Sequence, residues 1–284
     1  MIQLICGECI SIMEGMARRM KPSFDMIFLD PPYFSWEGQY PKPDHYKLSM
    51  LTYSLLKPTG VVWLCGTQPQ LLEDWKYWKR KFRLVFELIQ YKHGGTPLIS
   101  PYQPIRVHEN IWCLFRKDQK ISQSKLDIRR ATKGTYTKKR AKKGEDAMTI
   151  RYGKTWVEWK EDVGYPKSVI ECLKIGGGSK EYEGHPTQKP LRLMELIIKV
   201  STEQGDWILD PFAGSGTTLV AAEELGRNCL AIEINPAYCK IIKRRLNRLR
   251  GLRKLEKWIE REERAQPAHK KARPRNLYDF MEHA

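Results

Sequence analysis

Four consecutive residues, Asp30-Pro31-Pro32-Tyr33, combine a carboxylate, a backbone carbonyl between prolines and an aromatic ring. Such a set suits the gripping of a primary amine on a flat heterocycle. The lone pair of that amine is delocalised into the ring and is a poor nucleophile. Two acceptors, each taking one N–H, pull the nitrogen toward tetrahedral geometry and aim its lone pair. Asp30 and the Pro31 carbonyl supply both. Paired prolines stiffen the turn and remove competing N–H donors, and Tyr33 offers a face for a base taken out of a helix. No nucleophilic side chain is needed. The chemistry is direct displacement, helped by proximity and preorganised electrostatics. Taken alone, the tetrapeptide also reads as an ordinary β-turn.

A second group lies about 180 residues later, Asp210-Pro211-Phe212-Ala213-Gly214-Ser215-Gly216-Thr217. A glycine-containing turn between a strand and a helix brings backbone close to a ligand. Leu219 stands where a dinucleotide fingerprint has its third glycine, and the Gly-Lys-Ser/Thr of a phosphate loop is absent. Glu233 lies 17 residues beyond Gly216, at the end of the next apolar run, where a carboxylate can accept from two ribose hydroxyls. Asp210 is placed to face a cationic or amino group. A nucleoside ligand without pyrophosphate fits these parts, and S-adenosylmethionine is the candidate. A structural turn followed by a surface glutamate is the alternative.

The elements that must carry these groups follow from periodicity. Residues 25–30 form an apolar run ending at the first motif, a buried strand. Residues 34–43 read as a loop, 44–56 as a helix closed by Lys57-Pro58-Thr59-Gly60, and 61–65 as a strand. A helix over 69–81 and strands over 84–89 and 110–115 follow. Between Arg116 and Glu183 apolar periodicity fades into charges and glycines. It resumes with a helix over 191–202, a strand over 207–210, a helix over 215–225, a strand over 229–234 and a long basic helix opened by Pro236. Alternating strands and helices predict an α/β, Rossmann-like, doubly wound and mostly parallel sheet with a basic inserted region.

The formal net charge of +17 is unevenly placed. Residues 116–160 carry 15 basic and 5 acidic side chains, and residues 240–284 carry 15 and 6. The remainder is close to neutral. That pattern describes a folded body with polyanion-contacting segments, although solubilising surface charge gives the same counts. No run of apolar residues is long enough for a membrane span, and the first residues lack the pattern of a secretory signal. Seven cysteines without framework spacing fit a reducing cytoplasm. The one Cys-x-x-Cys, Cys6 to Cys9, has no second pair with zinc-site spacing, so no metal is expected.

The two motifs in this order resemble the β-class, permuted amino-methyltransferases of DNA, the N6-adenine and N4-cytosine family. His185-Pro186-Thr187-Gln188-Lys189-Pro190 resembles the segment that precedes the cofactor strand in that family. Leu4-Ile5-Cys6-Gly7-Glu8-Cys9 resembles its N-terminal Gly-Asp-Cys, with Glu8 in place of Asp; His108-Glu109-Asn110-Ile111 and Tyr165-Pro166-Lys167-Ser168-Val169 are similar to segments flanking its recognition region. The resemblance implies that Asp30, Pro31, Pro32 and Tyr33 hold and activate the base. It implies cofactor contacts from Glu8, Cys9, Asp30, Thr187, Lys189, Asp210, Phe212, Gly214, Gly216, Thr217 and Glu233. His185 is a loop hydrogen-bonder rather than a general base.

The same resemblance divides the chain. Residues 1–116 are the catalytic half, 117–183 a target-recognition insertion, 184–250 the cofactor half and 251–284 a basic extension. DNA contacts are expected from Lys138, Lys139, Arg140, Lys142 and Lys143. Trp156 and Trp159 suit either core packing or unstacked bases, and Arg244, Arg245, Arg248 and Arg250 suit either the DNA backbone or a solvated helix. Adenine N6 is favoured because Asp in the first motif position is the more usual residue of adenine members. Cytosine N4 is the alternative, followed by an RNA or protein-amide target and by a non-catalytic DNA-binding protein. Expected partners are double-stranded DNA, a second copy of the chain and a cognate restriction endonuclease, in a cytoplasmic, nucleoid-associated setting.

Overall fold

The computed structural model describes residues 1–32, 42–92, 102, 104–131, 149–152, 155–158, 167–172 and 174–265. In chain order the elements are β1 (Ile2–Cys6), α1 (Cys9–Arg19), β2 (Phe24–Leu29), α2 (His45–Leu55), β3 (Leu56–Gly66), α3 (Gln70–Trp78), β4 (Phe82–Tyr91) and β5 (His108–Arg116). Then come β6 (Thr149–Tyr152), β7 (Thr155–Glu158), β8 (Val169–Glu171), α4 (Leu191–Ser201), β9 (Trp207–Asp210), α5 (Thr217–Glu224), β10 (Asn228–Glu233) and α6 (Pro236–Ala265). Two compact units are distinguished, Met1–Ile242 and Lys243–Ala284, and α6 begins in the first.

An eight-stranded sheet of order β1-β10-β9-β2-β3-β5-β4-β8 forms the first unit. Pairing is parallel from β1 through β3, antiparallel between β3, β5 and β4, and parallel again between β4 and β8. The expected α/β, mostly parallel architecture is therefore present. All six residues of β2 are buried, as befits a central strand covered on both faces. Ile27, Leu29, Val62 and Leu64 join the core shared with Met13, Leu48, Leu55 and Trp78 of the first three helices. Trp63, with the opposite parity, points to the other face and donates from Nε1 to Ser201 Oγ of α4 at 2.7 Å.

Several elements differ from expectation. Residues 57–60, read as a turn, lie within β3, where pairing with β2 jumps from Phe24↔Leu56 to Met26↔Val61. The extra residues are absorbed as an irregularity, and Gly60 is required there because a Cβ would come within 2.6 Å of Leu56 Cδ1. β1 and α1 were not foreseen. The region 117–183 contributes the hairpin β6–β7 and strand β8, which pairs with β4 in the main sheet. No helix among the described residues is long and apolar enough to cross a membrane, and all seven cysteines are free.

Connections set the location of the cleft. β2 leads through α2 to β3, on one side, whereas β9 leads through α5 to β10, on the other. The two strands are hydrogen-bonded neighbours, Met26↔Ile208 and Ile27↔Leu209. Between their carboxyl ends the chain departs in opposite directions, and an open α/β sheet binds ligands at such a switch point.

The opposite end of this strand pair is tied by Asp25, fully buried. Its Oδ2 accepts from Lys57 Nζ at 2.8 Å and from Trp207 N at 3.0 Å, and its Oδ1 lies 2.9 Å from Lys125 Nζ. Burial alone would raise this carboxyl's pKa, but the two ammonium groups and the N–H outweigh it and hold the pKa below the usual aspartate value. A depressed pKa contributes stability that is present above the unfolded value near pH 4 and is lost as pH falls through the folded value. We expect Asp25→Ala to lower unfolding free energy at neutral pH by about 3 kcal/mol, with a smaller deficit in acid, measured by urea denaturation. Equal stability of mutant and wild type at neutral pH would show that the cluster contributes nothing net.

Candidate active site

The switch-point cleft is a cavity of about 450 Å³. Asp30, Pro31 and Pro32 reach it directly after β2, and Asp210 through Ser215 directly after β9. Glu8 and Cys9 enter from the start of α1, Thr187 and Lys189 from the segment before α4, Thr217 from the start of α5 and Glu233 from the end of β10. Residues far apart in sequence converge because parallel strands present all their carboxyl ends to one edge of the sheet. Gly216 is not a wall residue and acts through the backbone. Tyr33 and the cluster Lys138, Lys139, Arg140, Lys142 and Lys143 lie outside the described residues.

The glycine turn is held by a left-handed geometry that favours glycine. Gly216 has φ +80°, and a Cβ there would lie 2.9 Å from Ile242 Cγ1; Gly214 has φ +54°, and its Cβ would lie 3.2 Å from His185 Nε2. Glu233 fixes the turn from the neighbouring strand. Its Oε2 accepts from Gly214 N at 2.7 Å and its Oε1 from Asn235 N at 2.8 Å. Burial raises the pKa of Glu233 while these N–H groups oppose the rise. Asp210 is 2% exposed, and its Oδ1 accepts from Phe212 N at 3.0 Å. Desolvation dominates here, pushing its pKa up to about 7 against the Thr218 and Phe212 hydrogen bonds.

Glu8 has a local task. It caps α1, accepting from Ile10 N at 2.8 Å on Oε1 and from Ser11 N at 2.7 Å on Oε2, and so aims the carboxylate at the cavity edge. His185 stacks at 4.4 Å on Tyr238 and accepts from Thr187 N on Nδ1 at 3.3 Å. Burial lowers its pKa to about 4, so the ring is neutral at pH 7. The Cys6–Cys9 pair is divided: Cys6 Sγ lies 2.7 Å from Cys239 Sγ, and Cys9 is buried beside Glu8.

At the end of β2, Lys189 Nζ donates to Asp30 Oδ2 at 2.6 Å and lies 3.2 Å from Glu109 Oε2. Glu109 Oε1 accepts in turn from Lys92 Nζ. Burial disfavours the Lys189 ammonium, but Asp30 and Glu109 outweigh it and hold its pKa above the ordinary lysine range. Burial likewise opposes ionisation of Glu109, yet Lys189 and Lys92 bring its pKa down to about 2. Neither Glu109 nor Lys92 was singled out from the sequence as a site residue. The available sign was a glutamate at the head of an otherwise apolar strand.

The sequence model of the N6/N4 DNA methylase family matches residues 24–244. The chain belongs to that family and is a DNA methyltransferase. Type II methyltransferase M2.DpnII of Streptococcus pneumoniae is 31% identical over 253 residues, 80% of this chain and 84% of that protein. M2.LlaDCHI of Lactococcus lactis subsp. cremoris is 29% identical over 270 residues, 86% of this chain and 89% of its own. The M1.HpyAVI–SAM complex shares the fold with a TM-score of 0.57 at 22% identity, covering 86% of this chain and 100% of that one. The cytosine-N4-specific PvuII DNA methyltransferase does so at 0.55 and 15%, covering 84% and 83%.

A carboxyl whose folded pKa is raised contributes stability that is complete below the unfolded value and lost as pH rises through the folded one. In the ligand-free protein, Asp210 should therefore make stability decline between about pH 4 and pH 7. Asp210→Asn should remove that decline in melting temperatures measured across this range. An identical slope in mutant and wild type would show that Asp210 ionises as readily folded as unfolded.

Proposed function

We propose that this methyltransferase transfers a methyl group from S-adenosylmethionine to N6 of an adenine turned out of double-stranded DNA. One observation carries the reading: the Asp30-Pro31-Pro32 turn and the Asp210–Thr217 turn open into the same cavity. Lys189 touches both, through its ammonium on Asp30 and its carbonyl, which accepts from Thr217 Oγ1 at 3.0 Å.

The cavity fits the cofactor. Its volume lies within the range of nucleotide-sized sites. Glu233 presents a carboxylate at the end of β10, suited to ribose hydroxyls, and Asp210 one suited to a cation or amine. Phe212, Pro211 and Ile234 supply apolar wall for an adenine. When bound, S-adenosylmethionine supplies an electrophilic methyl group on a sulfonium.

The chain's own part is to hold and aim. The Asp30 carboxylate accepts one N–H of the base amine and the Pro31 carbonyl accepts the other, which localises the nitrogen lone pair. Lys189 keeps the carboxylate oriented. Tyr33 supplies the stacking face. Transfer leaves an extra proton on the amine, and Asp30 is the adjacent acceptor able to receive it. Adenine over cytosine rests on Asp in the first motif position. Recognition is assigned to the basic insertion 117–183, and pairing with a second copy or with an endonuclease belongs to the same reading.

Long-read modification sequencing of plasmid from cells expressing the chain tests this. N6-methyladenine in one recurring short motif is expected; N4-methylcytosine would keep the mechanism and overturn the base. Asp30→Ala should reduce turnover at least about 10³-fold while cofactor affinity stays close to wild type. Loss of cofactor binding in that variant would sink the role given to Asp30. Replacing Lys138, Lys139, Arg140, Lys142 and Lys143 by Gln should flatten the dependence of log K on log salt by about 0.9 for each residue on a phosphate. An unchanged slope would remove the cluster from the interface.

A further inference from the structure

Four charges alternate in sign along a line ending at the base-gripping carboxylate: Lys92, Glu109, Lys189 and Asp30. They come from four separate places, the end of β4, the head of β5, the segment before α4 and the end of β2. Their side chains are 19%, 9%, 8% and 17% exposed. Buried charges are costly and give little net stability compared with apolar packing. Gln90 and Glu109 face each other in a β4–β5 ladder that would pair equally well with uncharged residues. Asp30 and Lys189 are explained by the chemistry proposed above; Glu109 and Lys92 are not.

We propose that Glu109 is a positioning residue for methyl transfer, holding the Lys189 ammonium on Asp30 Oδ2 so that the carboxylate meets the base amine in one orientation. This rests on the reading of Asp30 as the base-gripping group. Lysine is a flexible point charge on a four-carbon stem, and one partner does not fix it. Lys189 Nζ is paired with both Asp30, at 2.6 Å, and Glu109, at 3.2 Å. Glu109 is itself restrained, because Lys92 occupies its other oxygen. The chain of pairs thus ends at a strand pair, β4–β5, whose residues do not line the cavity. Lys189 is faced by Asp30 from β2, Cys65 from β3, Lys92 from β4 and Glu109 from β5, with Asp210 and the neutral His185 nearby. Removing Glu109 leaves Lys92 as an unopposed like charge, so Lys189 should lose its proton more easily.

Two variants of the full chain test the role. Glu109→Gln removes the clamp. Lys92→Gln with Glu109→Gln removes both members of the outer pair and leaves no stranded charge, which protects folding. Single-turnover methylation of unmethylated plasmid DNA, cofactor affinity by calorimetry and the Cε titration of Lys189 by carbon-13 NMR are compared with wild type. In both variants the transfer rate should fall about 10- to 100-fold while cofactor Kd stays within about twofold. In Glu109→Gln the Lys189 titration should move to lower pH, and the rate should fall at alkaline pH in step with it. A wild-type rate and a wild-type Lys189 titration would overturn the role, as would a loss explained by weaker cofactor binding. Absence of DNA methylation by the wild type would sink the underlying reading, and this role with it. A methylating wild type with equally active variants would sink the role alone.

Discussion

The parallel pairing of β2 with β9 is the constraint from which the site follows. Their backbones share a short ladder, and their connections leave it on opposite sides. A cleft is left between their carboxyl ends. Two residues that no local rule relates, Asp30 and Asp210, become neighbours across that space. The burial of all of β2, the ties made by Asp25 at the far end of the pair and the packing of Trp63 onto α4 keep the two strands from sliding. A one-residue slip would invert every side chain of β2 and send Asp30 away from the cavity.

Charge is organised on two scales. Carboxyl groups in the cavity and beside it have different environments. Asp210 sits in apolar surroundings and is held near neutrality, with a pKa of about 7. Glu109 sits between two lysines and stays ionised, with a pKa near 2. The chain as a whole carries +17, gathered mainly in two segments outside the near-neutral body. On the reading proposed above, those segments attract the polyanion while the cavity takes the cofactor.

Much of this was legible in the sequence wherever an apolar run stops at a polar motif. Residues 25–30, 207–210 and 229–234 each show such a run, and the strands end within a residue of the expected place. α1 was not legible, because its cap is Glu8, a residue outside the usual Ser, Thr, Asp and Asn set. Lys57-Pro58-Thr59-Gly60 has turn chemistry, yet the sheet absorbs it as an irregularity of β3, and tertiary pairing overrides the local preference. Lys189 was read from its motif, but its partner lies 159 residues earlier in the chain. Such a contact depends on strand order, which periodicity does not contain. Glu109 was hidden for the same reason: its charge is matched only by residues brought in from other strands.

The hydrogen bond from Thr217 Oγ1 to the Lys189 carbonyl is small, but it decides how errors propagate. The residue whose ammonium grips Asp30 has its own backbone moored to the first turn of α5. Sulfur, carbon and nitrogen must come into line for a methyl displacement. On the reading proposed above, the parts that would hold the two outer atoms are therefore joined rather than separate. They are linked through one lysine side chain and one peptide unit. A displacement of the first turn of α5 is thereby coupled to the Asp30 carboxylate through residue 189 rather than acting on one half alone.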